Sequence, residues 1–272
     1  MGEGGRTNAV QSVKHFAFRK GACENDYRDV PEETPIAISY NGSSHAVMMS
    51  TPTDLEDLGV GFSLTEGIIS QLSDIHSINI ETYDNGIDVQ LWISDEHHKH
   101  LSDRRRFMAG PIGCGLCGVE SLQQVSRALP KLSVDTGSIN ADTISSAMRE
   151  LAEQQQINAL TRAVHAAGFY VPGEGLVAAR EDVGRHNALD KLIGALARAN
   201  QAPDSGLVAI TSRVSVELVQ KSAMLGIPVL AAISAPTALA IRTAEQANLT
   251  LVALVRGDEF DVYTHPHRIN FG

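Results

Sequence analysis

From residue 141 almost to its end, the chain alternates short apolar runs with segments of helical length, and few architectures accommodate that rhythm. Residues 229–233 carry no polar side chain, so a strand there must be covered on both faces. Expected strands at 176–179, 207–211, 229–233 and 249–255 interleave with expected helices at 141–154, 187–199, 216–225 and 238–247. The pattern predicts an α/β unit, a mainly parallel sheet with helices on both sides.

The first hundred residues read differently. Strand-like runs at 36–40 and 45–49 flank Asn41-Gly42, and runs at 75–82 and 87–93 flank Asn85-Gly86. Asn and Gly tolerate the positive φ of tight hairpins, so two hairpins are predicted. Residues 54–66 read as a helix capped by Thr51 or Thr53, and residues 119–129 as another. The expected organisation is a poorly ordered arm over 1–30, a smaller α+β part over 31–135, and an α/β domain over 136–272.

The 22 basic and 32 acidic side chains leave a net charge near -10, which argues against the diffuse basic surface of a nonspecific nucleic-acid binder. No apolar run approaches the roughly 20 residues that span a bilayer, and the polar start lacks a signal-peptide core. A soluble cytoplasmic protein with no membrane partner is expected.

Three cysteines are too few for a disulfide scaffold. Cys114 and Cys117 form a Cys-x-x-Cys pair in a glycine-rich run from Gly110 to Gly118, whereas Cys23 stands alone. Such a pair fits half a zinc site, a dithiol redox centre, a sulfur carrier, or two thiols without a joint role. Zinc needs four ligands, which only Cys23 or the histidines His97, His98 and His100 could complete. A thiol of pKa about 8.5 becomes nucleophilic in a positive field. Arg104, Arg105 and Arg106, or the start of the helix near Val119, could supply one.

A second constellation is Glu181-Asp182-Val183-Gly184-Arg185-His186-Asn187-Ala188-Leu189-Asp190-Lys191, after an expected strand and into an expected helix. Ligand sites of open α/β sheets lie at such places, so Arg185 and His186 could face an anion; the competing reading is a capped, solvated helix start. The run Thr211-Ser212-Arg213-Val214-Ser215 and Ser234 repeat the geometry after the next two strands, so three loops should meet at one sheet edge. Arg256-Gly257-Asp258-Glu259 is a charged turn, and His265-Pro266-His267 fits a structural edge better than a metal site.

With these motifs assembled, the sequence resembles the FdhD family of formate dehydrogenase accessory sulfurtransferases over residues 35–269. The resemblance rests on Tyr40-Asn41-Gly42, Gly61-Phe62-Ser63-Leu64-Thr65-Glu66-Gly67-Ile68-Ile69, Cys114-Gly115-Leu116-Cys117-Gly118, the run from Glu181 to Lys191, Gln220-Lys221-Ser222-Ala223 and Val262-Tyr263-Thr264-His265-Pro266. It implies a cytidine-deaminase-like three-layer core without the deaminase zinc signature, and no resident metal. It implies that Cys114 bears a persulfide loaded by a cysteine desulfurase, with Cys117 as helper. The acceptor it implies is the molybdenum or tungsten bis(molybdopterin guanine dinucleotide) cofactor, bound as substrate and mimicked by GDP, for a formate dehydrogenase apoenzyme. The family's guanine-nucleotide loop falls on Leu254-Val255-Arg256-Gly257-Asp258-Glu259, with Arg185, His186, Arg213 and Ser234 as further expected contacts. Glu259 stands near where members often carry a basic residue, and Gly113 where Ser or Thr is frequent. A homodimer is also implied.

Overall fold

A computed structural model describes residues 9–99, 101, 129–133 and 138–272. The chain opens with β1 (Val10–Arg19) and β2 (Ala22–Pro31), followed by β3 (Thr34–Tyr40), β4 (Ser43–Ser50), α1 (Leu55–Thr65), β5 (Ile75–Tyr83) and β6 (Gly86–Ile93). After β7 (Ile139–Asn140) come α2 (Ala141–Gln154), α3 (Gln156–Thr161), β8 (His165–Val171), β9 (Gly175–Asp182) and α4 (Arg185–Arg198). The remainder is β10 (Leu207–Ile210), α5 (Val216–Met224), β11 (Val229–Ala232), α6 (Ala238–Ala247), β12 (Thr250–Arg256), β13 (Glu259–Val262) and β14 (Ile269–Asn270).

Six strands in the order β13-β12-β11-β10-β8-β9 form the main sheet. Its centre, β10-β11-β12, is parallel, but β8, β9 and β13 join antiparallel, so the sheet is mixed and the mainly parallel expectation is corrected. The reason is connection length. Residues 172–174 link β8 to β9, and Gly257-Asp258 link β12 to β13; only helix-length crossovers return a strand in parallel. Alternation along β11 decides the layering. Val229 and Ala231 pack with Ile144, Met148 and Leu151 of α2, while Leu230 and Ala232 pack with Leu192 of α4, Leu218 of α5 and Ala244 of α6. Burying a side chain such as Leu230 contributes roughly 1.5–3 kcal/mol.

The N-terminal sheet runs β4-β3-β6-β5, and its buried face, with Ile36, Ile38, Val89 and Leu91, packs against Leu58 of α1. Residues 10–31 pair as a hairpin rather than as the poorly ordered arm read from their polarity. Lys20 and Gly21 both have positive φ, 49° and 87°, which suits the right-handed twist of a two-residue turn. Phe16, Phe18 and Tyr27 of this hairpin are exposed.

The two sheets are joined through α1 and α4. A Cβ on Gly61 would stand 1.7 Å from the Asp190 carbonyl oxygen, and one on Gly194 1.9 Å from that of Asp57, so the helices touch backbone to backbone. Ion pairs secure the seam, half-exposed around Arg180 and Arg198 and buried around Lys191 and Lys221. Arg180 Nη2 lies 2.7 Å from Asp57 Oδ2 and Arg198 Nη1 2.6 Å from Asp57 Oδ1; Arg198 also reaches Glu56. Asp182 Oδ2 accepts from Ser50 Oγ at 2.5 Å and Thr51 N at 3.1 Å, and lies 2.6 Å from Lys191 Nζ. Lys221 Nζ bonds both oxygens of Asp190 at 3.0 Å and Thr65 Oγ1 at 3.0 Å. Burial acts to lower the Lys221 pKa, but the Asp190 and Glu66 carboxylates outweigh it and hold the ammonium above its ordinary value.

Candidate functional site at the carboxyl edge of the sheet

Because β10, β11 and β12 are parallel, the loops after them open on one edge. The first two are knitted together. Ile233 N donates to Ile210 O at 3.1 Å, Val214 N to Ala235 O at 3.3 Å, and Thr237 N to Val214 O at 3.0 Å. β8 begins and β9 ends at this edge, since His165 stands opposite Asp182 and Thr211 N donates to Ala166 O at 3.0 Å. The three-loop convergence read from the sequence is therefore present as geometry. The expected residues nevertheless fall into two groups.

The first surrounds the start of α4. His186 Nε2 lies 3.3 Å from Ser215 Oγ and 3.8 Å from Glu217 Oε2. Both neighbours approach the same ring nitrogen, so they do not form the relay that a nucleophile, imidazole and carboxylate require. Burial, then the Arg185 charge, pushes the His186 pKa from 6.5 down to about 4, which leaves a neutral imidazole at neutral pH. His165 is shifted down by the same two causes. Arg185 Nε is buried and, among the described residues, makes no hydrogen bond. A buried donor in that state invites an acceptor from a ligand.

The second group walls a cleft of about 490 Å³, within the roughly 300–1,000 Å³ usual for small-molecule sites. Met148, Ile233 and Val255 give it apolar surface; Ser145 and Arg149 of α2 form one wall, and Arg256, Gly257 and Asp258 another. A register shift between Ala253 and Arg256 shapes the second wall, with Leu254 at φ 57° inside β12. Left-handed backbone at a leucine costs roughly 1–3 kcal/mol, and a bulge of this kind re-aims the side chains that follow.

Of the expected contacts, Val255, Arg256, Gly257 and Asp258 line the cleft, whereas Leu254 and Glu259 flank it. Arg185 and His186 belong to the other group. Arg213 is exposed on the loop after β10, and Ser234, half-buried after β11, lines no part of the cleft. Cys114, Cys117, His100, the arginines at 104–106 and the helix start near 119 lie outside the described residues. Cys23 is exposed on β2, and among the described residues no three His, Cys, Asp or Glu side chains cluster as metal ligands. His265 Nε2 instead contacts Glu245 O at 3.1 Å. Among the described residues no helix is long and apolar enough to cross a membrane.

The 181–191 run, read as a ligand motif, is mostly structural. Glu181 accepts from Ile157 N at 2.8 Å and Asn158 N at 2.9 Å, which caps α3. Asn187 Nδ2 donates to Met49 O at 2.8 Å, and Asp182, Asp190 and Lys191 lie in the seam. Only Arg185 and His186 turn to the edge. Sequence reasoning did not single out His165, Glu217 or Arg149, for which no local signal existed: His165 opens a strand of otherwise ordinary composition, and Glu217 and Arg149 are one polar residue among several in their helices.

Comparison with known proteins gives a consistent result. A model of the FdhD/NarQ family matches residues 31–270. The sulfur carrier protein FdhD of Agrobacterium fabrum is 56% identical over 261 residues, covering 96% of each chain. That of Brucella abortus is 57% identical over 259 residues, covering 95% of this chain and 96% of the relative. That of Cupriavidus necator is 50% identical over 252 residues, covering 93% and 87%. The crystal structure of a provisionally assigned formate dehydrogenase accessory protein from Desulfotalea psychrophila superposes with a TM-score of 0.77 at 26% identity, covering 97% of this chain and all of that one.

Proposed function

This chain belongs to the FdhD/NarQ family, and on that premise we propose that it is a sulfurtransferase whose Cys114 carries sulfur to the metal of a bis(molybdopterin guanine dinucleotide) cofactor. In this reading the Cys114 thiolate attacks the terminal sulfur of a cysteine desulfurase persulfide. The donor leaves as a thiolate, and Cys114 holds the extra sulfur as its own persulfide. In the second step the S–S bond breaks and its electron pair departs on Cys114 as a thiolate, while the released sulfur takes two electrons from the reduced (+4) molybdenum or tungsten of the bound substrate cofactor, becoming its sulfido ligand as the metal rises to the +6 state. The recipient is a formate dehydrogenase, and the setting is the cytoplasm. Cys117 assists, and the working unit is a homodimer.

One observation supports the cofactor half of the proposal. Val255, Arg256, Gly257 and Asp258, on the loop where the family resemblance places the guanine nucleotide, wall a cleft at the ligand-binding edge of the sheet. Apolar surface from Met148 and Ile233 suits a purine face, and the guanidinium of Arg256 suits a phosphate. Leu254 keeps a left-handed backbone, φ 57°, that persists only where the surrounding fold holds it, which supports a loop already shaped for its ligand. The expected cytidine-deaminase-like core belongs to the same reading, which a mixed sheet covered by helices on both faces supports.

Intact-mass analysis after incubation with a cysteine desulfurase and cysteine tests the carrier step. A gain of one sulfur at Cys114, lost in Cys114→Ala together with formate dehydrogenase maturation, is the expected result, with a milder loss for Cys117→Ala. An unmodified Cys114 beside normal maturation would leave a module that holds the cofactor or the apoenzyme without sulfur chemistry.

A further inference from the structure

The nucleotide reading leaves one wall of the cleft without a role. The end of β12 and the turn after it bring Arg256 and Asp258 to that cleft, a cation and an anion that cancel. Glu259 adds no positive charge, and a chain of net charge near -10 sets up a background that repels phosphates. A nucleoside diphosphate needs more cation than this wall supplies. Among the remaining lining residues, the one that carries positive charge is Arg149 of α2.

Arg149 is also uncommitted. Among the described residues it forms no ion pair, and its Nη2 donates to the hydroxyl of Ser146 at 3.0 Å. The arginines of the seam behave otherwise, since Arg180 and Arg198 close on Asp57. The acid next to Arg149 is engaged elsewhere, because Glu150 Oε2 accepts from Leu176 N at 2.9 Å. The helix beneath is held by Ile144, Ala147, Met148 and Leu151, all buried against the sheet. Arg149 is exposed, yet its fixed backbone and the Ser146 hydrogen bond hold its guanidinium beside a cleft lined by Met148, Ile233 and Val255, where it can take a phosphate.

We infer that Arg149 is a phosphate-contacting residue that determines affinity for the nucleotide end of the substrate, gripping it from α2 as Arg256 does from the end of β12. The inference rests on the nucleotide reading and adds to it a residue from a different element. GDP is the probe, titrated calorimetrically into the full chain and into Arg149→Met, Arg149→Lys and Arg256→Met at several salt concentrations.

Loss of one guanidinium–phosphate contact weakens binding about tenfold or more. Arg149→Met should show that loss, together with a shallower dependence of affinity on salt, and Arg149→Lys should recover part of both. Guanosine, which lacks the phosphates, should bind Arg149→Met as it binds the native chain, and thermal unfolding should be unchanged. GDP affinity equal in Arg149→Met and the native chain overturns the role of Arg149 and leaves the nucleotide reading standing. Equal losses for guanosine and GDP, which would mark a change of cleft shape, also overturn it. Failure of the native chain to bind GDP at all removes both.

Discussion

Replacing Lys191 by methionine keeps the length and apolar stem of a fully buried side chain and deletes only its ammonium. That ammonium lies 2.6 Å from Asp182 Oδ2 and donates to Thr51 O at 2.9 Å. Asp182 keeps four donors: Ser50 Oγ, Thr51 N, Gly184 N and Asn187 Nδ2. Removing one partner of a buried pair costs roughly 3–5 kcal/mol, mostly for the stranded charge, and four surviving hydrogen bonds put this case near the lower end, about 3 kcal/mol. At about 2–4 °C per kcal/mol for a chain of this size, the thermal midpoint should fall by about 6–12 °C. Trp92, the single tryptophan, lies on β6 and reports the N-terminal sheet by fluorescence, while far-UV circular dichroism reports the whole chain. Both signals should shift to lower urea concentration in Lys191→Met. The double variant Asp182→Asn/Lys191→Met should recover part of that stability, because no charge is then left unpaired, although the new amide nitrogen meets donors that a carboxylate oxygen accepted. A midpoint within about 1 °C of the native one would refute the reasoning, since the pair would contribute little net stability.

Gly194→Ala should cost about 3 kcal/mol or more and depress soluble yield, since the new methyl would stand 1.9 Å from the Asp57 carbonyl oxygen; a native-like melting curve would show that α1 and α4 can part without penalty. The neutral state of His186 gives a pH dependence of known sign. Its folded-state pKa of about 4 lies below the ordinary 6.5, so acidification protonates the unfolded chain first, and stability present above pH 6.5 is lost as pH falls towards 4. His165 acts in the same direction. His186→Gln should flatten the urea midpoint between those pH values, and an unchanged acid slope would assign the effect to His165 instead.

Hydrophobic rhythm made much of the fold legible. The helices expected at 141–154 and 238–247 have those bounds as α2 and α6, because each carries one buried stripe flanked by polar positions. β8 was not legible. Its sequence, His165-Ala166-Ala167-Gly168-Phe169-Tyr170-Val171, holds two alanines and a glycine of low strand preference, and it becomes a strand by pairing with β10 and β9. Missing it hid the antiparallel half of the sheet. The 181–191 run stood out by its charge, yet its partners Ser50, Thr51 and Thr65 lie more than a hundred residues away, so the seam was invisible in local pattern. For the cleft, resemblance pointed to the loop at 254–259, of which residues 255–258 line it, but nothing in the sequence could place α2 beside them.

The glycine pair at the crossing of α1 and α4 bears on how this protein can be taken apart or recombined. Neither half offers the other a flat, forgiving surface; each supplies a bare main-chain patch fitted to a carbonyl of its counterpart. A chimera that imports residues 31–135 from a relative must import the Gly61 position with a helix of matching tilt. Fragments expressed apart would each present unmatched buried charges to water, so they should survive only when produced together.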